Sequence, residues 1–301
     1  MRVFVTGATG AIGRFVVPEL VRAGHDVTAL ARTDEKAAQL EQQGARPARV
    51  SLFDETALKE VFAGHDAVCN LATAIPSVAK SSSMKNWAEN DRIRREGSTT
   101  VVNAALAAGV GRVVQESITF MYPDRGDEWI DESVTIDWPL LGEAVAAAEA
   151  NAARFTHGGG VGVVLRFGLF YGVGSDHAEQ FLMAARWHVG PVAGPRRAYQ
   201  SSIHLADAAT AVVAALTIPA GTYNVTDDQP LTKKDYTLAL GAAVGKRPWI
   251  RFPGQLIALA GKKADFMRRS QRVSNGAIKA ASGWAPTYPS AREGWEAIVH
   301  A

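Results

Sequence analysis

Val3-Phe-Val-Thr-Gly-Ala-Thr-Gly-Ala-Ile-Gly13 is the stretch on which the fold of this chain turns. A short β-branched run enters three glycines, and an amphipathic pattern follows over residues 12–23. Strand, tight loop and helix in that order aim backbone N–H groups and the positive end of a helix dipole at an anion. Gly7 allows the turn, Gly10 lets the backbone approach a pyrophosphate, and Gly13 permits close packing of helix on strand. Thr9, Ala11 and Ile12 complete the loop.

Outward from that loop, strand patterns at 26–31, 45–51, 67–70, 112–117 and 162–166 alternate with helical patterns near 35–43, 56–63, 93–108 and 141–156. Alternation of this kind predicts a parallel sheet with helices on both faces, a doubly wound α/β fold of Rossmann type. Asp54, before Glu55-Thr56-Ala57-Leu58, reads as a helix N-cap. After Tyr171 the rhythm changes: Gly-Pro-rich loops intervene, a helix over 204–216 and a strand over 222–226 follow, and the rest is mostly helical with Trp249, Trp284 and Trp295. The expected division is a dinucleotide-binding domain at 1–170 and 203–228, with a smaller, mostly helical C-terminal substrate lobe at 171–202 and 229–301.

Composition narrows the class. With 32 basic and 30 acidic residues the net charge is only +2, which argues against a nucleic-acid binder. The local basic excess at Lys262, Lys263, Arg268, Arg269 and Arg272 reads as a solvated helix face. One cysteine, Cys69, excludes an internal disulfide framework, and its apolar strand setting predicts a small buried side chain. The seven histidines show no ligand-like spacing, so no metal is expected. Val3–Val5 reads as a strand rather than a leader, and no apolar run is long enough to span a bilayer. A cytoplasmic protein without a membrane partner, monomer or homodimer, is the expectation.

The spacing Thr-Gly-x-x-Gly-x-x-Gly resembles the short-chain dehydrogenase/reductase superfamily, in its extended, epimerase- and dehydratase-like branch. Asn70-Leu-Ala-Thr73, Leu165-Arg-Phe-Gly-Leu-Phe-Tyr-Gly172, Ser202-Ile-His-Leu-Ala-Asp-Ala208 and Gly221-Thr-Tyr-Asn-Val225 follow in family order. At the end of the second strand, Thr28-Ala-Leu-Ala-Arg32 places an arginine where an acidic residue would select NAD, so NADP(H) is the expected cofactor, with Arg32 and Thr33 at the 2′-phosphate. The resemblance further implies Ser51 and Leu52 beside the adenine, Leu71, Ala72 and Thr73 beside the inner ribose, and Phe167 and Gly168 near the nicotinamide.

It also implies a Tyr-x-x-x-Lys proton-transfer pair on the helix after the fifth strand, and there the chain departs. Leu141-Gly-Glu-Ala-Val-Ala-Ala-Ala-Glu149, aligned on Glu149, puts Leu141 at the tyrosine position and Val145 at the lysine position. None of the six tyrosines is followed by lysine four residues on, and no lysine occurs between Lys85 and Lys233. In Gln115-Glu-Ser-Ile-Thr-Phe-Met-Tyr122 the family's hydroxyl position holds Ile118, flanked by Ser117 and Thr119. The candidates left for the chemistry are Tyr122 as proton donor, with Ser117 or Thr119 orienting the substrate oxygen. His177 begins the substrate lobe and either overhangs the cleft or is a surface or helix-start residue, and His204 and Tyr199 are expected as structural residues. Asp124, Asp127, Glu128, Asp131 and Glu132 are expected in a solvated lid, unless burial raises the pKa of one carboxylate so that it serves in proton transfer.

The expected function is therefore an NADP(H)-dependent reductase of a small or medium-sized, apolar organic substrate. Two alternatives stay open: an NADP(H)-binding sensor without turnover, and a non-redox isomerase or cyclase in the remodelled cleft. Sugar-nucleotide epimerisation needs the missing base and drops out.

Overall fold

β-branched residues on both sides of a strand suit a position covered on both faces, and the central strands here are buried nearly throughout. The structure, a computed structural model, describes residues 1–76, 83–137, 142–251 and 268–300. Seven strands make the sheet: β1 (Arg2–Thr6), β2 (Asp26–Leu30), β3 (Arg46–Ala48), β4 (Ala67–Asn70), β5 (Arg112–Ile118), β6 (Val161–Phe167) and β7 (Gly221–Val225). All pair in parallel, in the order β7-β6-β5-β4-β1-β2-β3. The chain winds outward to β3, crosses back to β4 beside β1 and continues the other way. That reversal leaves a crevice at the carboxyl ends of β1 and β4, the place where doubly wound sheets bind ligands.

Alternate side chains of β1 divide between two cores. Val3 and Val5 pack with Val16, Val17 and Leu20 of α1 (Gly13–Arg22) and with the helix Leu205–Ala214. Phe4 points the other way, edge-on to Phe62 at 4.8 Å, in the layer made with Val101, Val113 and Phe155. Asp54 caps the helix Glu55–Phe62 as expected, accepting from the Ala57 N–H at 3.0 Å. Cys69 is buried, and burial pushes its thiol up to about 12. A separate cluster, with Tyr171, Leu231, Tyr236, Leu240 and Trp295, joins the helices Asp176–Arg186, Lys233–Ala243 and Ala291–His300. Among the described residues no helix is long and apolar enough to cross a membrane.

Several local expectations are corrected. The helix expected at 204–216 begins at Leu205, because Ser202–His204 is a strand beside Leu169–Tyr171. His204 ends that strand and caps the helix, its Nδ1 accepting from the Ala206 N–H at 3.2 Å. The helix over 93–108 opens with a π turn, Ile93–Gly97, that carries Arg94 inward to a buried ion pair with Glu116 at 2.8 Å. The basic run is not a solvated face throughout. Buried Arg269 pairs with Asp137 at 2.5 Å, and Arg272 lies over the Trp129 ring at 4.1 Å and the Tyr199 ring at 5.0 Å. Lys262 and Lys263 lie outside the described residues. His177 stands in the first turn of the helix Asp176–Arg186 and is half-buried: its ring packs on Phe181 at 3.9 Å, and its Nε2 is buried without a partner among the described residues.

Two predictions follow from this packing. A Cβ on Gly294 would run into the buried Tyr171 ring and hydroxyl, so Gly294→Ala should cost about 1–3 kcal/mol in urea unfolding. An unchanged midpoint would mean that the ring yields freely. Burial lowers the His177 pKa from 6.5 to about 4, so between these values the unfolded chain binds a proton that the folded chain refuses. Stability present above pH 6.5 is thus lost as pH falls toward 4, by roughly 3 kcal/mol. Unfolding curves across that range should flatten in His177→Gln.

Candidate functional site

The glycine loop is built by close approach of backbones. Gly7 sits at φ +66°, and a Cβ there would overlap the Leu71 carbonyl at the end of β4. A Cβ on Gly13 would overlap the Gly7 carbonyl and Ala8, so this glycine lets α1 start directly against the loop. Gly10 differs: a Cβ there meets only the Gly7 oxygen, at 3.1 Å, and both Gly10 and Ala11 are exposed. Ile12 is buried, Thr9 is half-buried, and no side chain caps the first turn of α1. An open, glycine-walled cradle at an uncapped helix start has the shape and the field that a phosphate group requires.

At the neighbouring strand end, Arg32 is exposed and in no ion pair with a described residue, while Thr33 caps the helix Asp34–Gln42, its Oγ1 accepting from the Lys36 N–H at 3.3 Å. Asp34, which could have repelled an anion here, is paired with Arg49 after β3. Arg49 is a residue that sequence reasoning missed, although a basic residue just past the third strand was visible. Ser51 is exposed and its Oγ accepts from the Phe53 N–H at 3.2 Å; Leu52 is half-buried and packs against Gly97. Across the crevice Leu71 is buried, Ala72 half-buried and Thr73 exposed. The Phe167 side chain is wholly buried, with its ring 5.1 Å from that of Phe170, so it turns into the core. The Gly168 N–H donates to the Val225 carbonyl at 3.0 Å, and a Cβ there would press on Ser201.

Polar rungs cross the buried sheet at this end. Thr6 and Asn70 are register partners on β1 and β4, as are Asn70 and Gln115 on β4 and β5. Thr6 Oγ1 donates to Asn70 Oδ1 at 2.6 Å, and Asn70 Nδ2 donates to Gln115 Oε1 at 2.8 Å. Ser117, Arg166 and Asn224 form the second rung over β5, β6 and β7. Arg166 donates from Nε and Nη2 to both oxygens of Glu149, at 2.9 and 2.7 Å, and from Nη1 to the Tyr122 hydroxyl at 2.9 Å. Tyr122 passes its own proton to Asn224 Oδ1 at 2.9 Å, and Ser117 Oγ donates to Glu149 at 2.5 Å.

These bonds account for two of the three expected catalytic hydroxyls. Tyr122 is 0% exposed, and its phenol is held between Arg166 and Asn224 rather than turned to the cleft. Burial raises its pKa, with Arg166 opposing, so the phenol stays protonated. Ser117 is committed to Glu149. Thr119 is buried but makes no side-chain hydrogen bond to a described residue. Ile118 is half-buried and Val145 is buried, so both stand apolar where the family has polar groups; Leu141 lies outside the described residues.

Of the expected lid, Glu132 turns inward, accepts from the Asn224 N–H at 2.7 Å, and has its pKa raised by burial. Burial works against the charge of Arg166, but Glu149 more than offsets it and its pKa stands above the ordinary value. Among the described residues no group of His, Cys, Asp and Glu could hold a metal ion.

Comparison with known proteins agrees with this geometry. The NAD(P)H-binding domain family matches residues 7–156. A Streptomyces protein named 3-diazoavenalumate denitrifying reductase is 32% identical, over 98% of this chain and 99% of its own. A chloroplastic epimerase family protein of Arabidopsis thaliana, an SDR39U1 homolog, is 27% identical over 91% of this chain and 80% of its own. In the solved structures, human epimerase family protein SDR39U1 with NADPH superposes with a TM-score of 0.84 at 23% identity, covering 100% of this chain and 99% of that one. The phosphate cradle, the doubly wound sheet and the full-length likeness together place the chain among the NAD(P)H-binding oxidoreductases of the extended short-chain dehydrogenase/reductase family, as a member without the Tyr-x-x-x-Lys pair.

Proposed function

We propose that the protein is an NADPH-dependent reductase that delivers hydride to an acceptor needing no proton from the protein. The observation that carries this reading is the hydrocarbon at the family's hydroxyl and lysine positions and the structural commitment of the hydroxyls beside them. Ile118 and Val145 are hydrocarbon, Ser117 is bound to Glu149, and the Tyr122 proton points to Asn224. In this reading residues 1–170 and 203–228 hold the dinucleotide, and 171–202 with 229–301 form the substrate side. Gly7, Thr9, Gly10, Ala11, Ile12 and Gly13 take the phosphates. Arg32 takes the 2′-phosphate beside Thr33, an assignment supported by its freedom from any acid among the described residues. Ser51 and Leu52 border the adenine, Leu71 to Thr73 the ribose, and the Gly168 main chain the nicotinamide. Bound NADPH would supply a hydride from its ring.

An arenediazonium is the acceptor class that fits such a site best. One hydride enters, dinitrogen leaves and the arene keeps the hydrogen, so ArN₂⁺ and NADPH give ArH, N₂ and NADP⁺ with no proton drawn from a side chain. The name of the Streptomyces relative, which speaks of a diazo compound and of denitrification, supports this choice. The protein's own part is positioning and exclusion of water, and apolar walls at Ile118 and Val145 serve both. Quinones and enones are the next candidates, because bulk water can protonate their products.

The test is NADPH oxidation with a panel of aryl diazonium salts, quinones, enones and simple ketones, together with nitrogen release. Diazonium reduction with label carried from 4-deuterated NADPH into the arene is expected. The fastest turnover on simple ketones, or no oxidation with any acceptor, would overturn the reading, the latter in favour of a dinucleotide sensor. In the same assay Tyr122→Phe should keep most of the turnover while losing stability by roughly 2–4 kcal/mol, because both hydrogen bonds of the phenol go, the one from buried Arg166 included; a collapse of kcat at unchanged folding would restore Tyr122 as the acid. Calorimetric titration should show NADPH bound about tenfold or more tighter than NADH, as one charge-assisted phosphate contact gives, with the difference erased in Arg32→Asp. Equal affinities in the wild type would remove Arg32 from the site.

A further inference from the structure

Arg14 follows the third loop glycine directly and lies in the first turn of α1. A cation there opposes the positive end of the helix dipole, and the turn contains no acidic residue to offset it. No carboxylate of a described residue pairs with its guanidinium either. Among the described residues its guanidinium makes one hydrogen bond, Nη2 donating to the Val173 carbonyl at 3.0 Å, and its Nε is buried without a partner. On the other side, Gly174 holds φ +68°, and a Cβ there would stand 3.0 Å from Nη1. Glycine at 174 therefore both makes the turn and leaves room for the guanidinium. The same bend launches the helix Asp176–Arg186: the Ser175 N–H donates to the Gly172 carbonyl at 3.3 Å, and Ser175 caps the helix by accepting from the Ala178 N–H at 3.5 Å.

We infer that Arg14 is a positioning residue linking the dinucleotide's pyrophosphate to the substrate side of the cleft. A guanidinium has five donors in a rigid fork, so it can keep Val173 with one edge and offer another to a phosphate oxygen. An anion at the loop removes the conflict between the Arg14 charge and the helix dipole. Loading the dinucleotide then fixes the 172–175 bend and the helix behind it, so that the substrate wall forms after the cofactor is in place. The inference rests on the dinucleotide assignment made above, but not on which substrate is reduced.

Because the pyrophosphate is common to both dinucleotides, Arg14 and Arg32 have different signatures. Titration of NADPH and NADH into Arg14→Met should weaken both by the same factor, about tenfold or more, whereas Arg32→Asp should weaken NADPH alone. Hydrogen exchange at saturating NADPH should slow residues 173–178 in the wild type and leave them unchanged in Arg14→Met. Arg14→Lys, which keeps the charge but not the fork, should recover part of the affinity without the protection. Unaltered affinity for both dinucleotides in Arg14→Met, a loss confined to NADPH, or full protection of the bend without Arg14 would each overturn the inference. These readouts are binding and exchange, so wild-type binding without turnover would sink the reductase reading and not this one.

Discussion

The Arg166–Glu149 pair is the constraint on which the catalytic end of this molecule depends. A guanidinium inside a parallel sheet is tolerable only if its donors are occupied, and here Glu149 takes two and the Tyr122 hydroxyl a third. Desolvating both ions is costly, and leaving either unpaired costs more, on the order of 3–5 kcal/mol. The pair therefore binds β6 to the helix Gly142–His157, and through Tyr122 and Asn224 it reaches β7. Ser117 joins from β5. Four elements that must stay in register at the mouth of the cleft are tied to one buried charge.

That arrangement uses up the hydroxyls that lie nearest the family's catalytic positions. The phenol of Tyr122 satisfies a buried arginine and an amide, and the hydroxyl of Ser117 satisfies a carboxylate. Ile118 and Val145 add hydrocarbon where the family has polar groups. Under the proposed function, hydride transfer to an electron-poor acceptor needs no proton from these positions. On the side proposed for the dinucleotide, the glycine cradle lies at the sheet's switch point, with Arg32 just past β2 and Arg14 at the head of α1.

How much of this could be read in advance follows from the range of the interactions. The phosphate loop was legible because its glycines answer largely to local geometry, Gly7 to its own φ and Gly10 and Gly13 to backbone a few residues away, although Gly7 also makes room for the Leu71 carbonyl at the end of the neighbouring strand. The strand periodicity, the Asp54 cap and the burial of Cys69 were legible for the same reason. The loss of Tyr and Lys was legible as an absence, which no misaligned register could produce in a stretch without lysine from 86 to 232. His177 was legible as a helix start, but the partial cover of its ring by Phe181, which holds it neutral, was not.

The amino-acid sequence by itself thus determined the doubly wound sheet, the family's glycine loop and the lack of a Tyr-x-x-x-Lys pair, which are written in periodicity and in local motifs. Only the tertiary structure decided what the remaining polar residues do. Arg166 lies 17 residues from Glu149 and 44 from Tyr122, and Arg14 lies 159 from Val173. Each of these side chains has several possible partners of the right polarity. Strand register and helix packing, which bring distant segments within 3 Å of each other, select the one that is made.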